Sequence, residues 1–121
     1  MSDFQIKEVR ARQILDCKCR PMVEVDIVTE NGKTGRGAAP TGSSVGMYEA
    51  YVLRDQNPKE YHGMGVRKAV ANVTEKIAPA LVGMDVRDQR KIDETLICLD
   101  GTDNKSNLGG NAVYSTSVAA Y

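Results

Sequence analysis

Residues 21–32 hold the strongest constraint on this chain. Val23, Val25 and Ile27 alternate with Glu24 and Asp26, and Asn31-Gly32 comes shortly after. A period of two puts every second side chain on one face, so this stretch is a strand with an apolar face and a charged face. Asn-Gly then supplies the positive-φ turn that a tight hairpin wants, and residues 33–39 are the returning strand. Upstream, Phe4 and Ile6 share one parity while Val9, Ala11 and Leu15 take the other. One extra residue near Lys7 reconciles them, because a bulge switches faces. The first third is therefore a small three-stranded antiparallel meander.

Beyond it the period changes to helical. Pro40-Thr41-Gly42-Ser43-Ser44-Val45-Gly46 breaks regular structure and reads as a polar loop, suited to a lid, an oxyanion contact or a plain connection. Met47, Ala50, Tyr51 and Leu53 predict a short amphipathic helix over 47–54. Asn57-Pro58 and Gly63-Met64-Gly65 punctuate an irregular link. Ala69, Val70, Val73, Ile77 and Leu81 recur at helical spacing, and Pro79 and Gly83 bring that helix to an end. Asp85 and Asp88 can each cap the next helix, with Ile92, Leu96 and Leu99 as its buried stripe. A loop over 100–106 precedes a last helix starting near Asn111. The fold class is α+β.

That last helix stops at Val118-Ala119-Ala120-Tyr121 without a glycine cap, a basic last turn or a polar tail. The expectation is that the protein continues past this point, or that another chain covers this end. Residues 1–121 then read as one domain cut off within its last helix, and in isolation it is expected to self-associate.

Composition excludes several classes. With 16 basic and 16 acidic side chains the formal net charge is zero, and Arg10, Arg12, Lys18 and Arg20 are countered by Glu8, Asp16, Glu24 and Asp26. Nucleic-acid binding needs a basic stripe, so it is not expected. No long apolar run or signal-peptide pattern occurs, which argues against a membrane or secreted protein. Three cysteines are too few, and odd in number, for a disulfide framework. Cys17-Lys18-Cys19 invites a metal reading, but a tetrahedral zinc site needs four ligands and the sole histidine, His62, is remote in sequence.

Other motifs fail on their own terms. Gly32-Lys33-Thr34 lacks the earlier glycine of a phosphate-binding loop, and Gly63-Met64-Gly65 lacks the strand and third glycine of a dinucleotide site. Asp100, Asp103 and Asn104 are only part of a calcium loop. The sequons Asn72-Val73-Thr74 and Asn104-Lys105-Ser106 mean little without secretion. Glu49 and Asp55 fall on different helix faces, and His62 has no orienting partner. From its residues alone, this domain has no self-contained acid–base pair.

In order and spacing, however, the segments resemble the opening of an enolase. The resemblance rests on Ala11-Arg12-Gln13-Ile14-Leu15-Asp16, Pro21-Met22-Val23-Glu24-Val25 and the run from Pro40 to Ala50. It continues through Leu53-Arg54-Asp55, Gly63-Met64-Gly65-Val66, Ile77-Ala78-Pro79-Ala80-Leu81, Leu99-Asp100-Gly101-Thr102 and Asn111-Ala112. Each motif is weak alone; together they are specific and cover nearly the whole chain.

The resemblance implies an N-terminal domain joined to a C-terminal barrel, supplied in cis or in trans and absent from these residues. It implies a cytoplasmic homodimer that interconverts 2-phosphoglycerate and phosphoenolpyruvate with two Mg2+ ions, which this domain alone is not expected to bind tightly. The base, carboxylate ligands and phosphate-binding groups belong to the barrel, so no catalytic residue is expected here and the isolated chain is expected to be inactive. Thr41, Gly42, Ser43, Ser44, Val45 and Gly46 correspond to a substrate lid, with Ser44 as a magnesium ligand. Arg12 and Glu24 correspond to ion pairs that cross the dimer interface. The alternative is a noncatalytic enolase-like structural or interaction domain.

Departures from the family pattern sharpen that alternative. Cys17-Lys18-Cys19-Arg20 stands where Ser-Arg-Gly-Asn is usual, so Cys19 is costly if that backbone needs positive φ. Ser43 replaces alanine and Val45 replaces threonine in the lid. Gly110 replaces alanine and is expected to weaken a helix start, while Tyr114-Ser115-Thr116 replaces smaller apolar residues.

Overall fold

The computed structural model describes residues 3–40 and 46–121. Strands β1 (Ile6–Leu15), β2 (Pro21–Thr29) and β3 (Thr34–Ala39) form an antiparallel sheet in the order β1-β2-β3. The expected meander is present. The β1–β2 register shifts between Ile6 and Glu8, which leaves Lys7 as the extra residue that the parity change required.

Helices cover the apolar face of the sheet. α1 (Arg67–Asn72), a π turn (Val73–Ile77) and α2 (Ala78–Leu81) run on from one another, and α3 (Gln89–Asp100) and α4 (Gly110–Ala120) come after them. Ala69, Val73, Ile77 and Leu81 are all fully buried. A strict spacing of four drifts by about 40° per step in a helix of 3.6 residues per turn. The wider π turn takes up that drift, with the Ala78 N–H reaching back to the Val73 carbonyl. Pro79, which has no N–H to give, comes immediately after. These side chains meet Val23, Val25 and Ile27 of β2 and Ala112 and Ala119 of α4 in one core.

Two helical expectations are corrected. Residues 47–54 form a turn and then an irregular segment, with no helix. Tertiary partners satisfy its backbone: the Tyr51 N–H donates to the Asn104 carbonyl at 2.7 Å, and the Tyr51 carbonyl accepts from the Gly110 N–H at 2.6 Å. Local helical bonds then have nothing to add. In α3, Ile92 and Leu96 are buried as expected, but Leu99 is 40% exposed and Asp100 takes the inward place at 1%. The stripe is rotated because the Asp100 carboxylate serves the adjoining loop. Asp88 caps α3 by accepting from the Lys91 N–H at 3.1 Å, whereas Asp85 accepts from Arg87 instead.

The two hairpins share one design. In the second, the Thr29 N–H donates to the Lys33 carbonyl and the Gly32 N–H to the Thr29 carbonyl, both at 2.9 Å, with Gly32 at φ 82. In the first, the Asp16 N–H donates to the Arg20 carbonyl and the Cys19 N–H to the Asp16 carbonyl, again at 2.9 Å. Cys19 holds the place of Gly32, at φ 60. An L-residue in the left-handed region costs about 1–2 kcal/mol, offset in part by the unfolded-state entropy of glycine. Cys19→Gly is therefore expected to raise stability by about 0.5–1 kcal/mol, read as a higher urea midpoint at constant m-value. A lower midpoint would show that the cysteine side chain contributes packing there.

Candidate functional site

The lid expected from the sequence spans Thr41, Gly42, Ser43, Ser44, Val45 and Gly46. All but Gly46 lie outside the described residues, Ser44 included. What the structure gives is the frame on either side. The entry is β3, which ends at Ala39. The exit, from Gly46 onward, is the irregular segment tied to the start of α4. There the Asn111 side chain brackets Leu53, accepting from its N–H at 3.3 Å and donating to its carbonyl at 3.1 Å. Arg54 donates to the Pro21 and Met64 carbonyls at 2.8 and 2.7 Å, and burial pulls its pKa below the usual arginine range.

Gly110 has a different role from the one expected. A Cβ there would lie 2.7 Å from the Ala50 Cβ and 3.0 Å from the Tyr51 carbonyl oxygen. The residue that weakens the helix start is thus the one that lets the exit segment approach the helix. Behind this contact, Asp100 organises the loop before α4: its carboxylate accepts from the Leu108 N–H at 2.7 Å and from the N–H and hydroxyl of Thr102. That loop presents the Asn104 carbonyl to Tyr51. A cavity of about 340 Å³ lies where the two lid ends converge, lined in part by Ala39, Pro40, Glu49, Ala50, Asn111 and Tyr114.

The second candidate lies on the other face of the sheet. Glu24 and Asp26 alternate with the core residues of β2, so they project away from the helices. Arg12 donates to Glu24 and to Asp26, both at 2.8 Å. Arg36 from β3 donates to the two Asp26 oxygens at 2.8 and 3.2 Å. The Arg36 bond, reinforced by Arg12 and opposed by burial, holds the Asp26 carboxyl below its usual range. Arg12 and Glu24, which the resemblance implied as residues pairing across a subunit interface, pair here with each other within one chain, and Asp26 and Arg36 extend them to a four-residue cluster. The period-two pattern already placed Asp26 on the face of Glu24; Arg36 needed the strand register.

The family model described as the enolase N-terminal domain matches residues 6–121. The chain belongs to the enolase N-terminal domain family. It is 51% identical over 120 residues to Enolase 1 of Desulfitobacterium hafniense (strain Y51), a match that takes in 99% of this chain and 27% of that protein. The chain therefore spans about a quarter of the length of the curated relative it matches. The α+β meander-plus-helices architecture is the one that the family resemblance implied.

Within this enolase domain two further carboxylates that the sequence singled out have structural partners. Asp55 accepts from the Arg67 and Lys68 N–H groups at 2.9 and 2.8 Å and so caps α1 from a distance. Asp85 is held by Arg87, which brings its pKa to about 2. The same guanidinium sits 4.3 Å from the Phe4 ring centre. His62 lies in a left-handed turn, with φ values of 48, 54 and 84 over Tyr61–Gly63. Among the described residues no group of three or more His, Cys, Asp or Glu side chains is placed to hold a metal ion. Ser44, the magnesium ligand that the resemblance implied, lies outside the described residues. Among the described residues, no helix is long and apolar enough to cross a membrane.

Proposed function

We propose that this chain is the lid-bearing and dimer-contacting N-terminal domain of a cytoplasmic, magnesium-dependent phosphopyruvate hydratase. The complete enzyme interconverts 2-phosphoglycerate and phosphoenolpyruvate in glycolysis, as a homodimer whose catalytic groups and two Mg2+ ions reside in a C-terminal barrel. The observation that carries this reading is the 51% identity to Enolase 1 across 99% of the chain. The frame around residues 41–45 adds to it, because both ends are tied to rigid elements while the intervening Gly-Ser sequence suits closure over a ligand. Ser44 supplies a hard oxygen donor suited to magnesium.

The gene product purified from its native source is expected to have a mass several-fold larger than this chain and to form phosphoenolpyruvate, monitored by its ultraviolet absorbance. The 121-residue chain alone is expected to form none. A native product without hydratase activity at saturating Mg2+ would instead support the noncatalytic structural domain.

The cluster on the outer sheet face supports the dimer contact. Arg12 and Glu24 are proposed to exchange part of their internal pairing for groups of the partner subunit's barrel. Arg12→Ala or Glu24→Ala in the native dimer is expected to weaken association about 10- to 1000-fold, since either change removes a charge that the proposed contact pairs across the interface and unbalances the remaining cluster. Sedimentation velocity across a dilution series reads this directly. Unchanged dimer dissociation in both variants would remove these residues from the interface.

A further inference from the structure

The Cys17-Lys18-Cys19 motif has no part in the lid, the ion-pair cluster or the core. Both thiols are exposed and free. They occupy the second and fourth positions of the turn closed by the Cys19 N–H on the Asp16 carbonyl at 2.9 Å. The Asp16 carboxylate also accepts from the Lys18 and Arg20 N–H groups at 2.8 and 2.9 Å. The backbone carrying the two thiols is therefore set in advance. Cys19 adopts φ 60 at the place where the sister hairpin uses glycine at φ 82. An exposed side chain there gains no burial to offset that conformation, so packing does not account for the residue.

We propose that Cys17 and Cys19 form a two-thiolate site for one soft d10 monovalent cation of the Cu(I) class. Thiolates select Cu(I), zinc or iron–sulfur clusters. The last two need about four ligands, and among the described residues no third His, Cys, Asp or Glu joins this pair. Asp16, the adjacent carboxylate, is engaged by Lys18 and Arg20. Two-coordinate ligation is what remains. A disulfide is the competing state of the same pair, with a sulfur–sulfur bond of about 2.05 Å and a narrow dihedral. A bridging cation lets the sulfurs stand roughly two metal–sulfur bonds apart, beyond sulfur–sulfur bonding distance. Binding releases one proton from each thiol to solvent, forms two Cu–S bonds and changes no oxidation state.

The test is an anaerobic titration of the intact protein with Cu(I) against bicinchoninate as competing chelator. One Cu(I) is expected per chain. Cys17→Ser and Cys19→Ser should each lower the affinity at least about 100-fold, the gain that a second tethered ligand provides. Cys98→Ser, the remaining exposed thiol on α3, should leave it unchanged. Cys19→Gly should lose the metal while folding at least as well, which separates ligation from stability. The proposal is overturned if either single variant keeps the wild-type affinity or if Cys98→Ser loses as much. A wild-type pair that closes to a disulfide under glutathione disulfide and takes no Cu(I) after reduction overturns it as well. None of these outcomes bears on the hydratase assay.

Discussion

Gly37→Ala is expected to destabilise the domain by about 3 kcal/mol or more, and Gly37→Val to prevent folding. Helix α4 lies on β3 backbone to backbone. A Cβ on Gly37 would stand 2.4 Å from the Ser115 carbonyl oxygen, 2.6 Å from the Ala119 nitrogen and 3.0 Å from the Val118 Cβ. At Gly35 the same atom would be 2.1 Å from the Ala119 carbonyl oxygen. The groups in the way are mostly main chain, which no rotamer change can move. Accommodation must lift α4, and with it Ala112, Ser115 and Ala119 from the core, together with the 3.1 Å bond from the Ser115 hydroxyl to the Val23 carbonyl. Gly83→Ala is the contrasting case. Gly83 has open space around it but a φ of +94, so only the backbone conformation is penalised, by about 1–2 kcal/mol. Urea denaturation of the 121-residue chain compares the two. A Gly37→Ala cost no greater than that of Gly83→Ala would mean that α4 can shift at little expense.

That contact also marks where sequence reasoning reaches its limit. The strand pattern carries the meander and the bulge at Lys7, because period-two alternation is local and one face is strongly buried. The helix over 67–81 is equally plain, since its apolar spacing persists over four positions, Ala69, Val73, Ile77 and Leu81. Residues 47–54 mislead because their helical periodicity comes from Met47, Ala50, Tyr51 and Leu53, whereas their hydrogen bonds come from Asn104, Gly110 and Asn111. Those donors and acceptors lie some 50 residues away in sequence. Gly110 and Gly37 carry no signal on their own; the requirement for them appears only when another backbone arrives. Cys19 is the reverse case. The family pattern points to a positive-φ position, and φ 60 is what the turn adopts. Composition alone leaves the 40–46 loop open between a lid and a plain connection, and the family resemblance is what favours the lid and what offers Arg12 and Glu24 for the dimer contact, because a serine-glycine loop and an Arg–Glu pair have many innocuous uses.

Asp100→Asn is expected to cost about 3 kcal/mol near neutral pH and to loosen the lid exit. The wild-type carboxylate is 1% exposed and accepts from the Leu108 N–H on one oxygen and from Thr102 on the other. An asparagine must turn its NH2 group towards one of those donors and leave it unpaired. Burial alone would push the Asp100 pKa up, but the bonds from Leu108 and Thr102 outweigh it and the pKa is lowered in the folded state. This fixes the sign of the pH dependence. The unfolded carboxyl titrates near about pH 3.9, so the stabilisation is fully present above that value and is lost as pH falls through the folded pKa. The gap between wild type and Asp100→Asn should therefore be constant from about pH 7 to 5 and narrow below about pH 4. Asp26 and Asp16, whose pKa values are lowered too, titrate in both proteins and cancel from the difference. At neutral pH the Tyr51 amide, whose partner is the Asn104 carbonyl of the same loop, should exchange faster in the variant than amides of β2. Parallel acceleration across the whole domain would show that Asp100 supports global stability alone. Selective exchange at Tyr51 would link a carboxylate at the end of α3 to the anchoring of the segment that leaves the lid.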